Sequence, residues 1–147
     1  MANLQAVTTT GGEVVLKEAD VKTFQKGLRG ELIVPGGDGY EAARKVFNGM
    51  IDKRPAVIAR CADATDVLRA VEFARTHDLL VAVRGGGHNI AGKAICDDGL
   101  VIDLSAMKGM QVDPANRTAR AEPGLTLGEF DRQRRPMAWP LHSASFP

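Results

Sequence analysis

The sequence predicts an α+β fold in which short strands and a helix alternate. Two apolar runs, AVIAR at 56–60 and LLVAVR at 79–84, are typical of strands, and a helical pattern lies between them. A third run, LVIDL at 100–104, follows a turn. Strands that alternate with a helix favour helices layered on a sheet over a β-sandwich.

Two helices are predicted before the first of these strands. Residues 18–28 carry an apolar stripe at helical spacing. A second stripe after the Pro-Gly turn cluster at 35–39 predicts a helix that includes Ala43, Val46, Phe47 and Met50. Residues 1–12 are polar and end in glycine, so they are predicted to be a loose lead-in.

Capping signals place the remaining helices. Asp63 or Thr65 can cap a helix whose predicted apolar face is Val67, Leu68, Val71 and Ala74. The turn sequence at 113–116 predicts a hairpin over 110–122. Thr126 and Glu129 have capping-box spacing and predict the start of a last helix.

Composition narrows the class of protein. The 147 residues suit one domain, and 19 basic against 18 acidic residues leave a net charge of +1. This balance gives no electrostatic case for nucleic acid or an anionic membrane. No secretory leader or membrane-length apolar run is seen. Cys61 and Cys96 form neither a metal cluster nor a disulfide framework, which predicts free buried thiols and a cytoplasmic location.

The stretch VAVRGGGHNIAGK at 81–93 carries the functional signal. Its glycines end in Gly92-Lys93 like a phosphate-binding P-loop, but Ala94 replaces the hydroxyl residue that would hold Mg²⁺. A dinucleotide fingerprint fails too, because Ile90 stands where the third glycine belongs. Neither alternative is supported.

Two interpretations of the triple glycine remain open on spacing alone: a plain connector and a ligand-binding loop. Arg84 ends an otherwise apolar strand beside the glycines. Bare backbone amides next to an arginine favour an anion such as pyrophosphate, because glycine lets the anion approach the amides closely.

The segment from Arg54 to Ser105 resembles the FAD-binding domain of the vanillyl-alcohol oxidase and p-cresol methylhydroxylase superfamily. Its closest branch is the berberine-bridge-enzyme-like and hydroxynicotine-oxidase-like oxidoreductases. The motif R-G-G-G-H-N, then A-G and L-V-I-D-L-S, carries the resemblance, which extends over about residues 30–132. It implies the N-terminal part of a two-subdomain FAD-binding fold, truncated before the substrate domain.

The resemblance also implies roles for individual residues. The loop that wraps the FAD pyrophosphate maps onto the following positions: Arg84, Gly85, Gly86, Gly87, His88, Asn89, Ala91 and Gly92. His88 matches the histidine that many relatives bond covalently to the flavin 8α-methyl carbon, although a non-covalent flavin beside a hydrogen-bonding His88 is the alternative. No catalytic residue is assigned, because the family's substrate-binding and base residues lie in later segments.

The expected activity is hydride transfer from a small organic substrate to FAD, with O₂ as acceptor. The alternative is a truncated, inactive product that is at most a weak nucleotide-binding module. His77, His142, Tyr40 and Trp139 receive no role. Asp103 and Ser105 are predicted to fix a turn rather than to touch substrate.

The predicted domain boundaries are a lead-in at 1–30, a partial FAD-binding domain at 31–132 and an aberrant tail at 133–147. In one shifted reading frame, Met137 with Ala138 must encode glycine, and Trp139 with Pro140 must encode alanine. Both residues suit the H-G-L-A stretch that the resemblance implies there. The tail is therefore predicted to be frameshifted.

Overall fold

The computed structural model describes residues 2–134. Within them lie a mixed four-stranded sheet, two separate hairpins and four helices. The strands are β1 (Leu4–Val7), β2 (Glu13–Leu16), β3 (Glu31–Ile33), β4 (Val57–Arg60), β5 (Val81–Arg84), β6 (Leu100–Asp103), β7 (Met110–Asp113) and β8 (Thr118–Ala121). The helices are α1 (Glu18–Gly27), α2 (Tyr40–Ala43), α3 (Ala64–Thr76) and α4 (Leu127–Arg134).

The central sheet has the order β3-β4-β6-β5. β4, β6 and β5 are parallel, and β3 runs antiparallel to β4. In this register Arg60 and Arg84 both pair with Asp103. The parallel strands therefore bring two arginines and one aspartate together at their carboxyl ends, where ligands commonly bind in such sheets.

The two faces of the sheet bury different partners. Leu100 and Ile102 pack with residues of α1 and α3 in one apolar cluster, where the rings of Phe24 and Phe73 stack with centroids 4.3 Å apart. Val101, between them on the strand, belongs to a second cluster that contains Tyr40 and Ile95 among others. Because successive side chains of a strand point to opposite faces of the sheet, β6 contributes to both apolar clusters.

The structure confirms several predicted elements and corrects others. Helix α1, strands β4, β5 and β6, the β7–β8 hairpin and the start of α4 all lie where the pattern predicts them. Residues 1–12 are not a loose lead-in, because β1 pairs with β2 from Leu4 to Val7. Ala6 and Leu16 in this hairpin are buried in the core, so the predicted lead-in packs against the domain.

Two predicted helical stripes are wrong in detail. On α3 Ala74 is buried and Val67 packs against the core, as predicted. Leu68 and Val71 are exposed instead, and Asp66 and Ala70 complete the buried face. Small residues let the helix approach the sheet, and an apolar stripe does not reveal this. Asp63, one of the two proposed caps, accepts hydrogen bonds from the N–H groups of Thr65 and Asp66.

The second stripe fails because α2 ends at Ala43. A continuing helix would bond the Phe47 N–H to the Ala43 carbonyl. Instead the Ala43 oxygen accepts Arg84 Nη1 at 2.6 Å, and the Phe47 N–H donates to Gly87 O at 3.1 Å. Hydrogen bonds to Arg84 and Gly87 thus take the place of the helical bond between Phe47 and Ala43.

Cys61 and Cys96 are free and buried, as predicted, and burial raises the pKa of each thiol to about 11. No helix within residues 2–134 is long and apolar enough to cross a membrane. Most of the predicted frameshifted tail, including Trp139 and His142, lies outside the described residues, and the frameshift stays a prediction.

Candidate functional site

The glycine loop leaves β5 at the carboxyl edge of the sheet. Within residues 2–134, the backbone N–H groups of Gly85, Gly86, Gly87 and His88 donate to no acceptor. Gly86 and His88 are exposed, so a ligand can reach this part of the loop. Consecutive free amides of this kind form an anion-binding concavity.

The three glycines serve different purposes. A Cβ on Gly85 would lie 2.5 Å from the Pro123 carbonyl oxygen, so the fold itself excludes a side chain there. Gly87 has a φ of 71°, a conformation that glycine adopts without strain. At Gly86 φ is not positive, and a Cβ would meet only His88 Nδ1, at 3.4 Å. No neighbour within residues 2–134 requires glycine at 86, which leaves room for a ligand.

The Arg84 side chain is buried at the base of the glycine loop, where other residues of the chain bind it. Its side chain is 7% exposed, and Nη2 contacts Asp103 Oδ2 at 2.6 Å while Nη1 donates to Ala43 O. Burial acts to raise the pKa of Asp103, but the Arg84 guanidinium and the hydrogen bonds from Ser105 together outweigh it, and the pKa is lowered. The positive charge that sequence reasoning directed at a ligand anion is therefore matched by Asp103 in this structure.

Asp103 combines a predicted and an unpredicted role. It accepts the Ser105 N–H at 3.1 Å, which is the turn contact expected from sequence. Its other oxygen also contacts Arg60 Nε at 3.3 Å, so one fully buried carboxylate joins two arginines. A polar residue at the end of an apolar strand, opposite two arginine-terminated strands, was the signal available in the sequence.

His88 and the following residues form the outer part of the loop. His88 Nδ1 lies 2.7 Å from Gly86 O, and the imidazole stacks on the Phe47 ring. Asn89 Oδ1 accepts the Lys93 N–H at 3.0 Å, and Gly92 packs beneath Ile51 with a φ of 68°. Ala91 is exposed on the turn between them. Seven of the eight residues predicted for the site thus lie in one continuous loop, and the eighth, Arg84, ends the strand that leads into it.

A cleft of about 270 Å³ opens beside this loop. Among the polar and charged groups that line it are Lys45, Arg60, Ser105, Lys108 and Thr126. Lys108 is paired with Glu129, and Arg60 with Glu31 and Asp103. Lys45 forms no ion pair within the described part of the chain, so its charge is available to a ligand. Sequence reasoning missed this lysine because it lies 40 residues from the glycines.

Other residues without an assigned role have structural partners. The Tyr40 hydroxyl donates to Pro55 O at 2.7 Å within the core. His77 ends α3, and its ring contacts Phe73 with centroids 4.5 Å apart. Neither side chain lines the cleft beside the glycine loop.

Comparison with known families identifies the domain to which the glycine loop belongs. A model described as an FAD binding domain matches residues 55–145, more than half of the chain and the whole glycine loop. The chain belongs to this FAD-binding domain family. Its cofactor is FAD, and the fold is the FAD-binding portion found in flavin oxidoreductases.

Curated relatives of this FAD-binding domain are oxidoreductases. (R)-6-Hydroxynicotine oxidase from Paenarthrobacter nicotinovorans is 37% identical over 106 residues, which are 72% of this chain and 23% of that protein. An FAD-linked oxidoreductase of Dictyostelium discoideum is 33% identical over 114 residues, 77% of this chain and 25% of that protein. The chain therefore spans about a quarter of the length of these relatives.

Solved structures agree with this assignment. The crystal structure of 6-hydroxy-D-nicotine oxidase from Arthrobacter nicotinovorans superposes with a TM-score of 0.72 at 35% identity, over 75% of this chain and 24% of that one. The BBE-like 1 protein of Physcomitrella patens has a TM-score of 0.71 at 23% identity, over 79% of this chain and 26% of that one. The second likeness shows the fold alone.

The residues present fit the phosphate part of FAD. A pyrophosphate needs several donors and a compensating cation, and the loop offers four N–H groups without an acceptor in residues 2–134 beside Lys45. The open side of Gly86 provides the close approach that such contacts require.

Proposed function

We propose that residues 84–92 bind the pyrophosphate of FAD within an oxidoreductase that takes a hydride from a small organic substrate. The observation that carries this proposal is the run of four backbone N–H groups, Gly85 to His88, without an acceptor in residues 2–134. When bound, FAD supplies the hydride acceptor, and O₂ is the expected final oxidant.

The chain's own residues hold the loop in a form that accepts the anion. Asp103 neutralises Arg84, and Arg84 in turn bonds the carbonyl oxygens of Ala43 and Lys45. The buried cation therefore fixes the floor of the loop, and the amides above it remain free. Lys45 offers its ammonium group from the side of the cleft.

We further propose that His88 forms a covalent bond to the flavin, since it is exposed at the end of the free amides. His88 would join a neutral ring nitrogen to the 8α carbon. His88 would give up its N–H proton, and bound FAD together with O₂ would supply the two-electron oxidation that the bond requires, with loss of one 8α proton and reduction of O₂ to H₂O₂. Such a bond would prevent loss of the cofactor.

Acid precipitation of the FAD-loaded protein tests the bond directly. Flavin should remain in the wild-type pellet, whereas His88→Ala should release it into the supernatant. His77→Ala is a matched control, because this second histidine lies at the end of α3 and does not line the cleft. Complete release of flavin from the wild-type protein would contradict the covalent bond but not FAD binding.

A second candidate function is FAD binding without turnover. The observation that favours it is that the groups gathered at the cleft, the free amides and Lys45, suit the FAD phosphates. Under this alternative, purified protein carries flavin absorbance but does not reduce its flavin with any amine, alcohol or sugar substrate under anaerobic conditions. A cytoplasmic location remains part of the proposal and rests on the two free buried thiols.

A further inference from the structure

Residues 47–53, called here the brace, lie along the outer side of the glycine loop. The Phe47 N–H donates to Gly87 O at 3.1 Å, and Asn48 Nδ2 donates to Ile90 O at 3.2 Å. Further along, Lys53 Nζ donates to Gly92 O at 3.3 Å. The brace therefore holds the loop at three carbonyl groups and leaves the N–H groups of residues 85–88 untouched.

Phe47 is the only aromatic residue of the brace, and its ring lies on His88. The two ring centroids are 4.6 Å apart and the planes differ by 20°, which is a stacked arrangement. Phe47 is 73% exposed, so the ring contributes little to the core. Stacked aromatic pairs are stabilising beyond the area that they bury, so the contact favours one orientation of an exposed imidazole.

A hydrogen bond fixes the second degree of freedom of the imidazole. His88 Nδ1 lies 2.7 Å from the Gly86 carbonyl oxygen. A carbonyl oxygen only accepts, so Nδ1 carries the proton in this contact and the neutral ring has its lone pair on Nε2. The stack sets the plane of the ring, and the hydrogen bond sets its rotation within that plane and its tautomer.

We propose that Phe47 is a positioning residue for His88: its ring holds the imidazole in the plane in which Nδ1–H donates to Gly86 O, so that Nε2 is the free nitrogen. The proposal deepens the proposed function, because an oriented nitrogen matters to flavin attachment only if FAD binds. The orientation itself is a property of the chain without cofactor. It can therefore be measured independently of FAD.

Imidazole ¹⁵N and ring-proton NMR spectra of the FAD-free chain give the direct test, at about pH 8 where an ordinary imidazole is neutral. In the wild-type protein the His88 ring protons should be shifted upfield by the face of Phe47, and Nδ1 should be the protonated nitrogen. Phe47→Leu removes the aromatic face, so the upfield shift should vanish and both tautomers should appear. Phe47→Tyr should restore the wild-type spectrum.

Met50→Ala is the matched control, because Met50 belongs to the same brace but is 91% exposed. Its His88 signals should equal those of the wild type. Wild-type His88 protons without an upfield shift would overturn the proposal whatever the variants do. The loss of the upfield shift follows from the loss of the ring, so the tautomer is the deciding readout, and a Phe47→Leu protein that keeps the wild-type tautomer would also overturn the proposal.

A second measurement connects the orientation to the cofactor. After incubation with FAD, the rate at which acid-stable flavin accumulates should fall roughly 10- to 100-fold in Phe47→Leu, since misplacing a reacting group by about 1 Å can have effects of that size. The affinity for FAD should change little, because the free amides remain. If neither the wild type nor any variant binds FAD, the proposed function is contradicted. If the rate of flavin attachment in Phe47→Leu equals that of the wild type, only the positioning role of Phe47 is contradicted.

Discussion

At two sites in this molecule several backbone N–H groups lie close together, but within residues 2–134 only one of these sites contains an acceptor for them. Near the start of α3, fully buried Asp66 accepts the N–H groups of Arg29, Gly30 and Ala62 at 2.8–3.0 Å. At the end of β5, the N–H groups of residues 85–88 meet no acceptor within residues 2–134. At the first site the chain provides its own anion, and under the proposed function the second takes its anion from a ligand.

The contrast shows that a glycine-containing loop can either serve the fold alone or leave its N–H groups for a ligand. Burial acts to raise the pKa of Asp66, yet the three N–H donors outweigh it and the pKa is lowered. The same type of donor set at 85–88 should stabilise a phosphate in the same way. Glycine content alone does not separate the two loops, because Gly30 and Gly85 are both required by nearby backbone carbonyl oxygens.

The largest expected effect follows from removing the internal anion. Asp66→Asn replaces an acceptor oxygen by an NH₂ group that faces N–H donors, so at least one buried donor loses its partner. The free energy of unfolding, measured with urea, should fall by about 3 kcal/mol. Asp38→Asn is the matched control because Asp38 is exposed in a turn, and it should stay within about 0.5 kcal/mol.

The same carboxylate predicts the direction of the pH effect. Because folding lowers the pKa of Asp66, its contribution is present above the unfolded-state value of about 3.9 and is lost as pH falls through the folded-state pKa. Wild-type stability should therefore decline in acid below about pH 4, and the decline should be shallower in Asp66→Asn. Parallel acid profiles would show that other carboxylates dominate.

The sequence predicts the strands of this fold better than its tertiary contacts. Runs such as LVIDL are readable because buried parallel strands are apolar on both faces. The Arg84–Asp103 pair is not readable, since sheet register decides which residues meet at the carboxyl edge. Phe47 shows the opposite error: helical spacing placed it in a core stripe, but hydrogen bonds from the glycine loop end α2 and leave it exposed.

Substitutions at two adjacent glycines sharpen the comparison. Gly85→Ala would drive a Cβ against the Pro123 carbonyl, so stability should fall by about 1–3 kcal/mol. Gly86→Ala should change stability by less than about 1 kcal/mol, because no neighbour forbids a side chain. Gly86→Val should weaken FAD binding by at least about a hundredfold, since it blocks the approach of phosphate to the amides.

Urea unfolding and fluorescence titration with FAD give the two readouts. Equal losses of stability and affinity in Gly86→Val would favour a purely structural glycine loop. A stable Gly85→Ala protein would show that the Pro123 contact relaxes easily.

Inorganic pyrophosphate should bind to the backbone N–H groups of residues 85–88. At ten times its dissociation constant it should stabilise the wild-type chain against urea by about 1.4 kcal/mol. Gly86→Val should lose this stabilisation, and Asp66→Asn should keep it, because Asp66 lies at the other loop. An equal gain from pyrophosphate in the wild type and in Gly86→Val would place the anion elsewhere.

The site is predictable from sequence to the extent that its residues are consecutive. Residues 84–92 form one motif, so a single stretch predicts both the loop and its proposed binding of an anion. Lys45 and Phe47 reach the same place from a different segment, and no local pattern links them to the glycines. Their contribution depends on α2 ending at Ala43, which only the folded structure reveals.

The smallest expected effect concerns the cation of the cleft. Lys45 lines the cleft beside Gly86 and forms no ion pair within residues 2–134, so its charge should add to the affinity for the FAD phosphates. It is exposed, and water and salt screen an exposed charge, so Lys45→Ala should raise the Kd for FAD only about two- to fivefold. The difference in Kd between the variant and the wild type should shrink as NaCl increases, because salt screens the attraction between the Lys45 charge and the FAD phosphates, which the variant already lacks. Lys26→Ala, at the end of α1 and outside the cleft, should leave the Kd unchanged at every salt concentration. An equal effect of both substitutions would show that FAD senses the net charge of the chain rather than a cation in the cleft.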